Sequence, residues 1–276
     1  MNKRGFWEIL RHSIGYDLKC GIWKRWYMYV GVCLADILII LNAGRTLEVY
    51  EVKISFMNLL GALFQGCKEY EKGIDTSFEI PIAYMAIIVL NALINGWYAR
   101  NEMSKRGNLS ILRMQDLKIW WFSKCIWSFL HTILYCMILF VMTFGLNLIW
   151  GNGNYGLDKS LYQLLDISKI HFNNKDIILY TMGSLLLLLT SLNAIQLLLQ
   201  LLFTPTISMI VIIFIMVMSA FDFKVFNLGN YIMLMRNVVC NPAGVSFEVI
   251  AGICIGIALV CIITGEYFLY KRDIIM

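Results

Sequence analysis

Proline and histidine are scarce. Three of each occur in 276 residues, so long helices can run unbroken and a histidine-rich metal site has too few ligands. Charged side chains make up 15% of the chain, against roughly 25% in soluble domains. No glycine-rich turn ends in Gly-Lys-Ser or Gly-Lys-Thr, so the chain holds no P-loop and hydrolyses no ATP itself. His12, His131 and His171 are scattered, and none forms the two-histidine, one-glutamate helix of a metalloprotease. No serine stands in a Gly-x-Ser-x-Gly elbow. These absences argue against an enzyme, and no catalytic, cofactor-binding or metal-ligating residue is assigned.

What is present is apolar. Hydrophobic residues account for 59% of the chain and the mean hydropathy is +0.70. One soluble core of this size could not hide that much apolar surface. The expectation is a single all-α, polytopic transmembrane domain over 1–276.

A bilayer core about 30 Å thick needs about 20 apolar residues as helix. Six stretches qualify, at about 26–41, 80–98, 120–149, 177–202, 206–221 and 249–270. The fourth and fifth are separated only by a hinge. Ile177 to Phe221 is one apolar run, more than twice what a bilayer needs, and Pro205 in Phe203-Thr204-Pro205-Thr206 is where it folds back.

Loop charge sets the orientation. Lys3, Arg4, Arg11, Lys19, Lys24 and Arg25 precede the first span. Arg100, Lys105, Arg106 and Arg113 join the second to the third, and Lys271 and Arg272 follow the last. Those segments belong on the cytoplasmic side, which puts both termini there. Trp7, Trp23, Trp26, Trp97, Trp120, Trp121 and Trp127 fall near the same interface, and Trp150 near the outer one. The first apolar run contains Asp36 and lacks a small-residue cleavage site, so no cleavable signal peptide is expected.

Outside the spans, Phe6, Trp7, Leu10, Ile14 and Leu18 recur at helical steps opposite Arg4, Glu8, Arg11, His12 and Lys19. Residues 1–22 therefore read as an amphipathic interfacial helix, the alternative being a basic topogenic tail. The outer segment from Gly44 to Glu79 leans acidic. Its apolar piece Ile54 to Phe64 is too short to span and would rest on the bilayer surface. Tyr231 to Met235 reads as a short interfacial or re-entrant helix. Of eight cysteines, only Cys67 and Cys240 lie in outer loops, where a disulfide between them is an open alternative.

Polar groups inside the spans are the remaining functional signal. Asp36 lies about 15 Å beyond Trp26, near mid-bilayer, where an ionised carboxylate costs about 2.5 to 3.5 kcal/mol. It must face protein or water, near His131 or Asn91, or stay protonated. Asn91 and Asn95 share one face of the second span; Asn193, Gln196 and Gln200 share one of the fourth. Such amides either join helices or line a pathway. Glu266, close to Lys271 and Arg272, reads as a snorkelling residue.

The layout resembles the permease subunits of type-2 ABC exporters. Arg100-x-Glu102 followed by Gly107-x-Leu109-x-x-Leu112 is similar to the family's stretch after the second span. Arg113 through Trp120-Trp121-x-x-Lys124 resembles the aromatic and basic approach to the third span in Firmicutes members. Gly229-Asn230-Tyr231-x-Met233-x-x-Arg236, Gly244-Val245-Ser246 and the closing Lys271-Arg272-Asp273-Ile274-Ile275 resemble that subgroup too. The resemblance implies a multi-pass protein of the bacterial cytoplasmic membrane. Its partners would be a separate ABC ATPase subunit, which holds ATP and magnesium, and a second permease chain, identical or related. No cofactor is expected in this chain, and no nucleic acid among its partners. The ATPase would dock under about 100–118, with Arg100, Glu102, Lys105, Arg106, Gly107 and Arg113 as coupling residues. Cargo of the antimicrobial-peptide kind, in export or self-immunity, is what the subgroup suggests. The alternative is a non-transporting integral membrane protein acting in immunity, sensing or assembly.

Overall fold

A computed structural model describes residues 3–67, 81–103, 117–158, 160–161 and 174–273. Regular structure among them is helical, apart from one isolated bridge between Asn237 and Val245. Helix α1 (Lys3–Gly21) leads through a 3-10 turn at Trp23–Arg25 into α2 (Trp26–Val49), and α3 is the short Phe56–Leu63. Then come α4 (Ile82–Met103), α5 (Leu117–Trp150) and α6 (Asn174–Ile178). A π turn at Leu179–Gly183 joins α6 to α7 (Ser184–Leu202), followed by α8 (Pro205–Phe221). Two 3-10 turns, Leu228–Ile232 and Leu234–Arg236, precede α9 (Phe247–Asp273).

Among the described residues, four stretches are long and apolar enough to cross a membrane: Phe6–Val49, Leu117–Trp150, Asn174–Leu202 and Phe247–Lys271. The protein is therefore membrane-embedded. Two further apolar helices, Ile82–Tyr98 and Pro205–Phe221, are shorter. At about 1.5 Å per residue, the 17 residues of α8 extend about 25 Å, slightly less than a typical hydrocarbon core.

The helix ends have local causes. Phe203 leaves α7 extended, the Thr204 hydroxyl accepts from the Ile207 amide, and Pro205 occupies the first turn of α8. Proline suits that place because the amide it lacks would have had no intrahelical partner. The π turn sits where Gly183 meets the Phe247 ring, and the Tyr180 hydroxyl accepts from the Phe247 amide at 3.2 Å.

Each long helix buries one stripe and offers another to lipid. On α2, Tyr29, Val32, Asp36, Ile40, Ala43 and Leu47 face inward, while Val30, Leu34 and Leu38 face out. α9 runs chiefly along α7, and α1 lies chiefly on α5. Close approach of α9 to α5 depends on Gly265, where a Cβ would overlap the Trp121 indole. The Trp121 Nε1–H donates to the Ile262 carbonyl at 2.9 Å.

Several expectations need correction. α2 continues well past residue 41, to Val49. The apolar piece at 54–64 does not rest on a bilayer surface: α3 is inserted among α2, α5 and α6, with Leu59 and Leu60 fully buried. Its Ser55 cap accepts from Asn58 N, and the Phe56 ring stacks edge-on against Phe140 at 5.0 Å. Tyr231 to Met235 is likewise interior, with Tyr231, Ile232 and Met233 fully buried. Gly66, at φ +82°, turns the chain out of α3 so that the Phe64 and Gln65 carbonyls accept from Leu234 N and Met235 N. The tryptophans divide: Trp7, Trp23, Trp26 and Trp97 are exposed, whereas Trp120, Trp121 and Trp127 are packed inside. Glu266 pairs with Lys118 at 2.9 Å.

Candidate functional site

At the α1 end of the bundle, a buried ion pair joins helices far apart in sequence. Asp17 is fully buried and Lys124 nearly so, with Lys124 Nζ 2.5 Å from Asp17 Oδ1. The Tyr98 hydroxyl donates to the same oxygen at 2.6 Å. Ser123 Oγ donates to Asp17 Oδ2 at 2.5 Å, and Ser13 Oγ donates to Ser123 at 2.8 Å. Lys124 also stands over the Tyr98 ring at 5.3 Å and the Trp120 ring at 5.6 Å, and Arg25 approaches Tyr98 from the turn before α2 at 5.6 Å. One carboxylate thus holds α1, α4 and α5 together.

Sequence periodicity missed this pair. The apolar stripe Phe6, Trp7, Leu10, Ile14 and Leu18 reads as a face for the headgroup layer and assigns no face to the bundle; the positions buried there are Leu10, Ser13, Asp17 and Gly21. Trp7 is 66% exposed. The carboxylate of Asp17, with three donors, fixes which side of α1 meets the bundle, and it leaves the Trp7 indole outside, where a membrane surface suits it. The available signal was the small and polar run Ser13, Asp17, Gly21, at steps of four.

The next layer is made of amides. Asn91 Nδ2 donates to Asn193 Oδ1 at 2.8 Å, and Asn193 Nδ2 donates to Thr132 Oγ1 at 2.8 Å. Asn95 Nδ2 donates to Gln196 Oε1 at 2.9 Å, while Ser128 Oγ donates to Asn95 Oδ1 at 3.1 Å. Gln196 Nε2 donates to the Ala92 carbonyl at 2.9 Å. Gln200 reaches across the Pro205 turn to Ser208 Oγ at 3.3 Å. The sequence-selected Asn91, Asn95, Asn193, Gln196 and Gln200 are all buried, and in this packing they join α4, α5, α7 and α8 to one another.

Asp36 and His131 lie between α2 and α5. His131 Nδ1 is 2.9 Å from the Tyr29 hydroxyl, and the Trp127 ring stacks on the imidazole at 5.4 Å. Asp36 is fully buried, yet neither carboxylate oxygen has a hydrogen-bond partner among the described residues.

At the opposite end, the guanidinium of Arg236 gathers main-chain and side-chain oxygens. It donates to the carbonyls of Cys67 (3.0 Å), Ser219 (2.5 Å) and Ala220 (2.9 Å), and to Asn230 Oδ1 at 2.6 Å. Ser219 and Ala220 close α8, so the cation sits at the negative end of that helix. Cys67 and Cys240 are free thiols, not a disulfide. Burial raises the Cys67 thiol pKa, with Arg236 pulling the other way, and pushes that of Cys240 up to about 12.

Of the coupling residues, Arg100 and Glu102 fall in the last turn of α4, with side chains outside the described set. Lys105, Arg106, Gly107 and Arg113 lie outside the described residues altogether. Among the described residues, no three His, Cys, Asp or Glu side chains group as metal ligands. A largely apolar cavity of about 250 Å³ opens between α5, α7 and α9, beside Trp121, Phe129, Thr190, Leu197 and Ile262. No protein family, curated protein or solved structure matches the chain.

Proposed function

We propose that this chain is the membrane-spanning permease subunit of an ATP-driven ABC exporter of the type-2 class. In this reading α2, α4, α5, α7, α8 and α9 are six crossings, both termini are cytoplasmic, and the membrane is the bacterial cytoplasmic one. A separate ATPase docks against about 100–118, and a second permease chain completes the pathway for cargo of the antimicrobial-peptide kind.

The observation that carries this reading is the Asp17–Lys124 pair. A coupling segment does mechanical work only if the helices on both sides of it are tied to the element that must move. Tyr98, near the C-terminal end of α4, and Lys124, near the start of α5, flank the segment and converge on Asp17 of α1. A push delivered between them is therefore transmitted to the amphipathic helix and, through α5, along 34 residues of continuous helix, about 51 Å. The basic character of Arg100, Lys105, Arg106 and Arg113 also supports a cytoplasmic position for the segment.

The test is affinity purification of the tagged chain from its native membrane in detergent. A soluble ATPase in the eluate, lost when Arg106 and Arg113 are both replaced by glutamate, is the expected result. Purification without an ATPase would favour the non-transporting reading, and an ATPase retained by the double variant would remove the docking site from about 100–118.

A further inference from the structure

Asp36 presents a chemical problem that the permease reading does not use. Its carboxyl group is shut inside the bundle near mid-bilayer, and among the described residues no donor or cation reaches either oxygen. The groups around it are committed elsewhere. The nearest phenol in electrostatic reach, Tyr135 on α5, donates its hydrogen to the Ile87 carbonyl at 2.7 Å. Tyr29, two turns away on α2, is engaged with His131 Nδ1 at 2.9 Å. His131 stands one turn from Tyr135, its Nε2 without a hydrogen-bond partner though the Asn91 carbonyl faces the ring. Cys33, one turn before Asp36 on α2, offers only a thiol, a weak donor.

Among the described residues, the charges packed on α2 lie elsewhere: Arg25, in the 3-10 turn before α2, stands over the Tyr98 ring at 5.6 Å, about three turns from Asp36. α3 carries no titratable side chain in Phe56–Leu63. On α4, Tyr84 faces the Cys67 and Arg236 end, and Tyr98 is held by Asp17 at the other. Both strongly placed cations, Lys124 and Arg236, are likewise engaged at the two ends of the bundle. An ionised carboxylate that meets no donor among the described residues lacks a group to replace its hydration, and the neutral acid is what low-dielectric surroundings tolerate.

We propose that Asp36 is an intramembrane proton-binding site, occupied by a proton while α2 and α5 are packed as in this structure. The bound species is the hydrogen ion itself, taken up by a carboxylate oxygen to give a neutral acid. Any movement that separates α2 from α5 and admits water would stabilise the carboxylate and release the proton, so occupancy is tied to helix packing. This holds whether or not an ATPase partner exists.

The experiment is infrared difference spectroscopy on the purified chain in lipid nanodiscs at neutral pH, comparing the unchanged protein with Asp36→Asn. The expected result is a carbonyl-stretch band of a protonated carboxyl group that is absent from Asp36→Asn and shifts only slowly on transfer to heavy water. Should Asp36→Asn fail to accumulate, Asp36→Thr and protein carrying carbon-13 aspartate supply the same comparison. No such band in the unchanged protein, or a band that survives in the Asp36 variants, would overturn the proposal.

Discussion

Lys124 Nζ and Asp17 Oδ1 stand 2.5 Å apart in a place that neither side chain shares with the surface, although the two residues are 107 positions apart in the chain. Removing one member of such a pair leaves a charge whose hydration has already been stripped, a loss of about 3–5 kcal/mol where measured. Asp17→Ala should therefore lower the melting temperature in detergent sharply. Adding Lys124→Met should recover much of the difference, because an apolar side chain of similar length replaces the stranded charge. An Asp17→Ala protein that melts with the unchanged chain would mean that α1 is not fastened through this pair.

Asn193 is the busiest of the amides, joining Asn91 on α4 to Thr132 on α5. Hydrogen bonds between membrane helices contribute about 0.6 kcal/mol on average and up to about 1.7. Asn193→Ala should destabilise by about 1–3 kcal/mol, and Gln200→Ala, with its single 3.3 Å contact, by less than about 1 kcal/mol. Equal losses in calibrated unfolding measurements would contradict the ranking.

These two sites were unequally legible. The amides could be found because Asn91 and Asn95, and Asn193, Gln196 and Gln200, recur on helical faces that are otherwise apolar. The Pro205 turn was legible for a similar reason, since proline without an amide proton has few places inside a long apolar run. Asp17 was hidden because its residue type belongs to the charged face of an amphipathic helix, and only the tertiary partner at Lys124 reverses that assignment. α3 was hidden as well: Phe56–Leu63 is too short to span, and nothing local distinguishes a helix lying on lipid from one inserted between α2 and α5.

Arg236 closes the C-terminal turn of α8 by holding the Ser219 and Ala220 carbonyls while also binding Asn230 and the Cys67 carbonyl. Lysine keeps the charge but lacks the planar fork, so it cannot reach all four acceptors. Arg236→Lys should destabilise by about 2 kcal/mol or more, since each buried group left unmatched costs about 1–3 kcal/mol. Faster alkylation of Cys67 should accompany it. A conservative outcome on both counts would show that charge alone suffices there.

Cys240 is a free thiol raised to about 12 by burial. A raised thiol holds less thiolate at neutral pH, so its alkylation should be slow there and keep accelerating as the pH passes the range in which ordinary thiols level off. Unfolded chain should titrate all eight cysteines without reductant. Six titrating thiols, with two more appearing on reduction, would point to a disulfide instead.

The central claim is that the segment at about 100–118 faces the cytoplasm and receives the force that drives transport. Single cysteines at Ser104 and Ser110, placed in a cysteine-free background, can be probed in intact cells with a membrane-impermeant maleimide. The account predicts no labelling until the membrane is permeabilised. Labelling of both positions in sealed cells would place the segment outside, beyond the reach of any ATPase, and would contradict it.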